Sequence, residues 1–249
     1  MLNIVIPMAG AGSRFSLAGY KDPKPLIEIN NMPMIQVVIN NLKPKINHRF
    51  IFICQNKHIE QYDLINKLKN WSSDAIVIGI DGLTEGAACT VLCAKEYINS
   101  DDELMIANSD QFIDCSIDRY LSKLRDENLD GLIMTMTAND PKWSFVEVEN
   151  YLVKRVVEKE VISNEATVGI YNFKHGKDFI LSAENMIKSK KKVNNEYYVA
   201  PVYNDLIVNN KKIGIYNIGS EANGMYGLGI PSDLELFLSL PVSKKVILK

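Results

Sequence analysis

Two stretches near the start of the chain carry the residues with the clearest chemical use. In MAGAGSRF (8–15), five small residues, Ala9, Gly10, Ala11, Gly12 and Ser13, run directly into Arg14. A turn of small residues leaves backbone N–H groups open to an anion, and a guanidinium beside it adds a planar fork that suits phosphate oxygens. In DPKP (22–25), Lys24 stands between two prolines. Their fixed φ angles disfavour helix there and hold the ammonium on a stiff arm. The spacing is neither the P-loop GxxxxGK[ST] nor the dinucleotide GxGxxG. Each stretch alone is a weak signal, a phosphate-friendly turn and a surface tripeptide. Two further loops add polar groups, TEG (84–86) and NSD (108–110).

The elements that must position these loops follow from hydrophobic pattern. Buried strands are expected at 3–8, 50–54, 74–80, 103–107 and 131–138, and helices at 34–42, 58–71, 86–98 and 118–128. Strand and helix alternate, which is the signature of βαβ units and a doubly wound α/β sheet, mainly parallel. Ligands of such folds bind at the carboxyl ends of the strands, where GAGSR, TEG and NSD all fall. After about residue 140 the pattern changes. FVEVENYLVKRVVEKE alternates in period two about Glu149-Asn150 and reads as a hairpin. A strand is expected at 165–173, helices at 178–187 and 199–208, a strand at 212–218 and a closing helix at 232–240. No Ser/Gly-rich linker, repeat or low-complexity tract interrupts the chain. The expectation is one domain, 1–249, with a nucleotide-binding half (1–140) and an acceptor-binding half (141–249). The fold class is a Rossmann-like α/β/α sandwich whose second half forms a small β-rich lid.

Composition narrows the function. Of 249 residues, 47% are hydrophobic and 23% charged, as in soluble globular proteins. A formal net charge of −2 argues against a nucleic-acid coat or a polybasic membrane patch. No signal peptide is legible, and no apolar run approaches the roughly 20 residues that span a bilayer. Cys54, Cys89, Cys93 and Cys115 show no zinc spacing, and Cys89 and Cys93 are expected in the core. A reduced, cytoplasmic protein fits.

The two opening stretches gain force together. PMAGAGSRF…YKDPKPLIEINNMPMI matches in order and spacing the N-terminal signature of the sugar-phosphate nucleotidylyltransferases, the NTP transferase family. The resemblance implies that the glycine loop holds a nucleotide and that Arg14 and Lys24 contact its phosphates. It makes LTEGAACTVLCA the base-recognition loop, with Thr84 to Ala88, including Glu85, Gly86 and Ala87, near the base. MIANSDQF resembles the turn where the family places a magnesium-binding aspartate, here Asp110, with Asn108 beside the nucleotide. VVEKE resembles the family's EK stretch, implying Glu158 near the acceptor and Lys159 on its phosphate. ATVGIYNF and NNEYYVAPVYND resemble acceptor-binding segments, implying Gly169, Glu196, Tyr198 and Asn204.

One departure stands out. GLGIPSDLELF is similar to a closing D-x-G-T-P-x-D stretch, yet the first aspartate, a second metal ligand in many members, falls on Gly227. Asp233 aligns with the later aspartate and is expected to cap a helix; Glu221 is a candidate substitute ligand. Magnesium's habit of keeping water ligands suits a sparse site.

The implied reaction joins an NTP to a phosphorylated sugar or polyol and releases pyrophosphate, giving an activated precursor for surface polysaccharide. CTP is narrowly preferred, with thymidylyl or uridylyl transfer to a hexose 1-phosphate as the alternative. A GT-A-type glycosyltransferase would want a DxD motif, and NSDQF offers one aspartate. A non-catalytic nucleotide-binding module has only Gly227 in its favour. Self-association into a homo-oligomer stays open.

Overall fold

The computed structural model describes residues 1–246. In chain order the strands are β1 (Leu2–Pro7), β2 (Glu28–Ile29), β3 (Met32–Pro33), β4 (His48–Gln55), β5 (Ile76–Ile80), β6 (Glu103–Ala107), β7 (Gln111–Ile113), β8 (Gly131–Thr137), β9 (Ser144–Glu149), β10 (Leu152–Glu158), β11 (Glu165–Phe173), β12 (Ile213–Glu221) and β13 (Gly224–Gly227). The helices are α1 (Ser13–Leu17), α2 (Met34–Leu42), α3 (Asn56–Tyr62), α4 (Leu64–Trp71), α5 (Ala87–Leu92), α6 (Lys95–Ile98), α7 (Ile117–Asp126), α8 (Gly176–Lys188), α9 (Tyr203–Val208) and α10 (Pro231–Ser239).

Successive residues of β1 and β4 feed different cores. Ile4, Ile6, Phe50 and Phe52 join the core that holds side chains of α2, α4 and α7. Val5, Ile51 and Ile53 join the core that holds side chains of α5, α8 and α9. A strand covered on both faces has no use for polar alternation, which is why these segments read as unbroken apolar runs. The sheet runs β5-β4-β1-β6-β11-β8-β12-β13-β7. β1 pairs in parallel with both β4 and β6, starting from Leu2 opposite His48 and Glu103. β11 is antiparallel to β6 and β8 and lies between them. A strand from the second half is thus inserted between two from the first. The β9–β10 hairpin branches off the same sheet where Phe145 meets Ala166 of β11. Its turn is Asn150-Tyr151, both at positive φ (50° and 66°), the backbone of a two-residue type I′ turn. β2 and β3 form a separate ribbon.

Several boundaries depart from the pattern-based expectation. The helix expected at 58–71 is two helices, parted at Asp63 with φ 50°. The one expected at 86–98 breaks after α5. Cys93 is exposed and Cys89 only half-buried, so neither is the core residue expected. α5 turns Ala88, Thr90 and Val91 inward, and cysteines four apart share a different side. Residues 200–202 form a 3₁₀ turn ahead of α9. α7 starts one residue earlier than expected, with the Ser116 hydroxyl accepting from Arg119 N–H. Among the described residues no helix is long and apolar enough to cross a membrane.

Candidate active site

β1 ends at Pro7 and the chain turns through the small residues 9–12. Two contacts hold this loop: Met8 N–H donates to Ile53 O at 2.9 Å, and the buried Gln55 donates to Ala9 O at 2.6 Å. Gly12 takes φ 61° and leads into α1, with Phe15 anchored in a third apolar cluster. A Cβ on Gly12 would sit 3.5 Å from Lys24 Cβ, so the loop and the PKP arm are neighbours. The arm differs from expectation in one respect. Pro23 is extended, but Lys24–Leu26 is a 3₁₀ turn closed by Leu26 N–H on Pro23 O at 2.8 Å. Pro25 stands early enough in the turn that its missing N–H costs no bond. The stiffness survives, and Lys24 Nζ reaches Asp110 Oδ2 at 2.7 Å.

Asp110 follows β6, where ligands of parallel sheets collect. The turn is fixed from two sides. Asn108 N–H donates to Gly169 O at 3.1 Å. Gly169 has φ 78°, and a Cβ there would lie 2.0 Å from Asn108 Nδ2. On the other side the buried Asn41 of α2 brackets Ile113, donating to its carbonyl at 2.9 Å and accepting from its N–H at 2.8 Å. The sequence marks Asn41 only as a polar residue on an otherwise apolar helix face.

Opposite lies the loop 83–88. Gly86 has φ 125°, and a Cβ there would lie 2.5 Å from Tyr197 N. Tyr197 donates its N–H to Glu85 O at 2.8 Å and accepts from Ala88 N–H at 3.0 Å. Lys192 Nζ is 2.8 Å from Glu85 Oε1. The loop 83–88 is therefore stitched to the segment 192–197. The Thr84 and Thr90 hydroxyls are hydrogen-bonded to each other at 2.6 Å.

These parts enclose a cleft of about 720 Å³, a size that suits a nucleotide-sized ligand. Ala9 through Arg14, Lys24, Gly86, Ala87, Asn108, Asp110 and Glu196 all line it. So do His58 and Tyr62, which no motif singles out, and Gly229 of the closing GLGIPSD stretch. Glu85, Glu158, Lys159, Gly169, Tyr198 and Asn204 are not among its lining residues. Glu158 and Asn204 instead line a second cavity of about 250 Å³ behind β10. Both polar atoms of the Asn204 amide are used on the backbone of Val156, at 2.8 Å each, so Asn204 braces β10.

The acceptor-side residues form a cluster of their own. Glu158 is 7% exposed and accepts a short hydrogen bond from the Ser144 hydroxyl. Burial pushes its carboxyl above the usual range, against the pull of Ser144 and Lys159. Lys159 Nζ lies 3.7 Å from Glu158 Oε1 and 5.3 Å from the centre of the Tyr198 ring. Burial, with Glu196 and Glu158 nearby, pushes the Tyr198 phenol up to about 12. Lys159 itself has φ 58°, a conformation rare outside glycine and asparagine.

The closing segment corrects two expectations. Asp233 makes no cap hydrogen bond to α10; its carboxylate is turned toward Gly227, whose Cβ would lie 3.1 Å from Asp233 Oδ2. Burial pushes its carboxyl up, reinforced by Glu221 and Asp110 and opposed by Lys142 and Arg14. Glu221 is engaged by Lys142 Nζ at 2.8 Å, so it is not the free substitute for the residue missing at 227. Among the described residues no group of three His, Cys, Asp or Glu could hold a metal ion. Any cation here must draw ligands from substrate and water as well as from carboxylates.

Comparison with known proteins shows the family and the fold. Residues 4–208 match the family described as Nucleotidyl transferase. The chain is 24% identical over 179 residues to the Bifunctional protein GlmU of Methanococcus aeolicus, covering 70% of this chain and 40% of that one. The chain spans about half the length or less of the first curated relatives it matches, 40% and 49% of two GlmU proteins. Among solved structures, a nucleoside-diphosphate-sugar pyrophosphorylase from Vibrio cholerae RC9 superposes with TM-score 0.81 at 24% identity, over 95% of this chain and 100% of that one. An inositol-1-phosphate CTP transferase from T. maritima superposes with TM-score 0.72 at 15% identity, over 98% and 95%. At such identities the superpositions establish the Rossmann-like α/β fold.

Proposed function

The chain belongs to the nucleotidyl transferase family, and from that premise we propose that it joins an NTP to a sugar or polyol phosphate and releases pyrophosphate. The observation that carries the reading is the 2.7 Å contact of Lys24 with Asp110. It joins the PKP arm to the NSD turn, and the glycine loop lies beside the same arm, where a Cβ on Gly12 would sit 3.5 Å from Lys24 Cβ.

In this reading an oxygen of the acceptor phosphate attacks the nucleotide α-phosphorus in line. The bond from that phosphorus to the bridging oxygen breaks, and pyrophosphate leaves with the electron pair. The attacking group is already an anion, so no protein nucleophile or base is needed. The obstacle is repulsion between two anions, and positioning and charge neutralisation answer it. Arg14 and the loop N–H groups would hold the triphosphate. Lys24 would exchange its aspartate partner for phosphate oxygens. Lys159 would hold the acceptor phosphate, with Glu158, Glu196 and Tyr198 orienting the acceptor body. A divalent cation, Mg²⁺ in our proposal, would neutralise phosphate charge when bound, and Asp110 is a hard oxygen donor suited to it. We propose CTP as the nucleotide, in line with a fold neighbour named as a CTP transferase, and a cytoplasmic role in supplying polysaccharide precursors.

The test is pyrophosphate release with a set of NTPs that includes CTP, UTP and dTTP against a panel of sugar and polyol phosphates. Turnover with at least one pair supports the reading. Silence with every pair, from folded protein and Mg²⁺, defeats it.

A further inference from the structure

The resemblance implies an aspartate at the position of Gly227, and a carboxylate lies close to where its side chain would start. A Cβ on Gly227 would lie 3.1 Å from Asp233 Oδ2, and one on Gly229 would lie 2.7 Å from Asp110 Oδ2. Carboxylates from two different segments, the 108–110 turn and α10, thus close on these two glycines. Asp233 is the third residue of α10, where an acidic side chain commonly folds back on the helix start; here it makes no cap bond. Gln111 stands directly opposite Gly227 in the antiparallel pairing of β7 with β13, so its side chain leaves the sheet on the face that a residue at 227 would use. Gln111 is 3% exposed and its Nε2 has no acceptor. A buried orphan donor on that face points to an absent ligand or ligand-bound water. The remaining nearby carboxylate, Glu221, is held by Lys142 at 2.8 and 3.2 Å.

We propose that Asp233 is the second carboxylate of a divalent-cation site shared with Asp110, reaching from the first turn of α10 into the space that Gly227 leaves. The inference rests on the nucleotidyl-transfer reading, because that chemistry supplies the reason for a cation. Two carboxylates are the hard oxygen donors such an ion prefers, and an Mg²⁺-type ion fills its other positions with water and phosphate. In this arrangement the Gln111 amide donates to an oxygen of that shell, and Asp233 is a metal ligand and not a helix cap.

Mn²⁺ alone is the probe, with the free ion read by EPR as the full chain is added. Asp233→Asn and Asp110→Asn should each weaken binding at least about tenfold, the scale seen when even an indirect partner of a metal is lost. Glu221→Gln should leave affinity unchanged. Gly227 does not have a left-handed φ, so its backbone accepts a side chain once Asp233 is out of the way. The double change Gly227→Asp with Asp233→Ala should recover binding that Asp233→Ala alone loses. Melting without metal keeps folding separate: Asp233→Asn should melt no lower than wild type, since it removes one of two like charges. Wild-type affinity in Asp233→Asn, with loss in Asp110→Asn, overturns this inference and leaves nucleotidyl transfer standing. No Mn²⁺ binding by the wild type also overturns it. Tight, Asp233-dependent binding without pyrophosphate release from any pair would support the site and defeat the proposed function.

Discussion

Lys24 and Lys159 are the two ammonium groups on which the proposed chemistry turns, and they are held differently. Lys24 rests on Asp110, half-shielded from water. Lys159 sits at φ 58° beside Glu158 and the Tyr198 ring. Replacing either by alanine should cut turnover by about 10²–10³-fold, the scale for one preorganised charge, with the fold intact by circular dichroism. At Lys159 the backbone offers a sharper contrast, because glycine tolerates positive φ. Lys159→Gly should therefore melt no lower than Lys159→Ala while being equally inactive; a clear loss of melting temperature would show that the lysine serves the fold. Glu158 gives a pH signature. Its carboxyl is raised in the folded state, so the folded protein holds that proton more tightly than the unfolded chain. The resulting stability is complete below about pH 4.3, the ordinary glutamate value, and is lost as pH rises through the raised one. Glu158→Gln abolishes this loss. The melting temperature of Glu158→Gln relative to wild type should climb as pH is raised from 4 towards neutrality, and a flat difference would contradict the assignment.

Among the elements, the loop 83–88 and the segment 192–198 act as one piece. Gly86→Ala faces both a positive φ and a backbone 2.5 Å away. It should displace the loop from Tyr197, lowering melting temperature and weakening nucleotide binding together; unchanged nucleotide affinity by calorimetry would separate this loop from the base. Asn41→Ala strips both partners from Ile113 in a buried setting. It should destabilise the protein by about 2–6 kcal/mol in urea unfolding, at roughly 1–3 kcal/mol for each of the two orphaned groups. What the sequence made legible at this scale was local. β1, β4 and β6 announce themselves as apolar runs, and GAGSR and PKP announce themselves as neighbours in one cleft, because they lie within a short span. What stayed hidden was non-local. β7 and β13 are only three and four residues long, below any periodic signal; β7 is defined by its pairing with β13, and β13 by its pairing with both β12 and β7. The direction of the Asp233 side chain depends on where β13 lies, so an aspartate near a helix start reads as a cap. Asn41 and Gln55 are second-line residues whose partners are main-chain atoms far along the chain, and amide side chains carry no motif of their own.

Across the whole molecule, β11 is the strand that makes one site out of two halves. It lies between β6 and β8, and its Gly169 presses against Asn108 of the nucleotide turn. The expected division at residue 140 marks a change of pattern, while the sheet runs through it. The glycine loop, the loop 83–88 and the Glu158–Lys159 cluster thereby share one framework, as the proposed alignment of two anions would require. The central claim is that the α-phosphate of a nucleotide moves to a phosphorylated acceptor. The most direct measurement uses NTP labelled at the α-phosphate, with Mg²⁺ and the acceptor that the screen selects, and follows both label and pyrophosphate. Label should enter the acceptor product one-for-one with pyrophosphate, and Lys24→Ala should suppress both together. Label recovered as free nucleoside diphosphate, or labelled product without matching pyrophosphate, would contradict it.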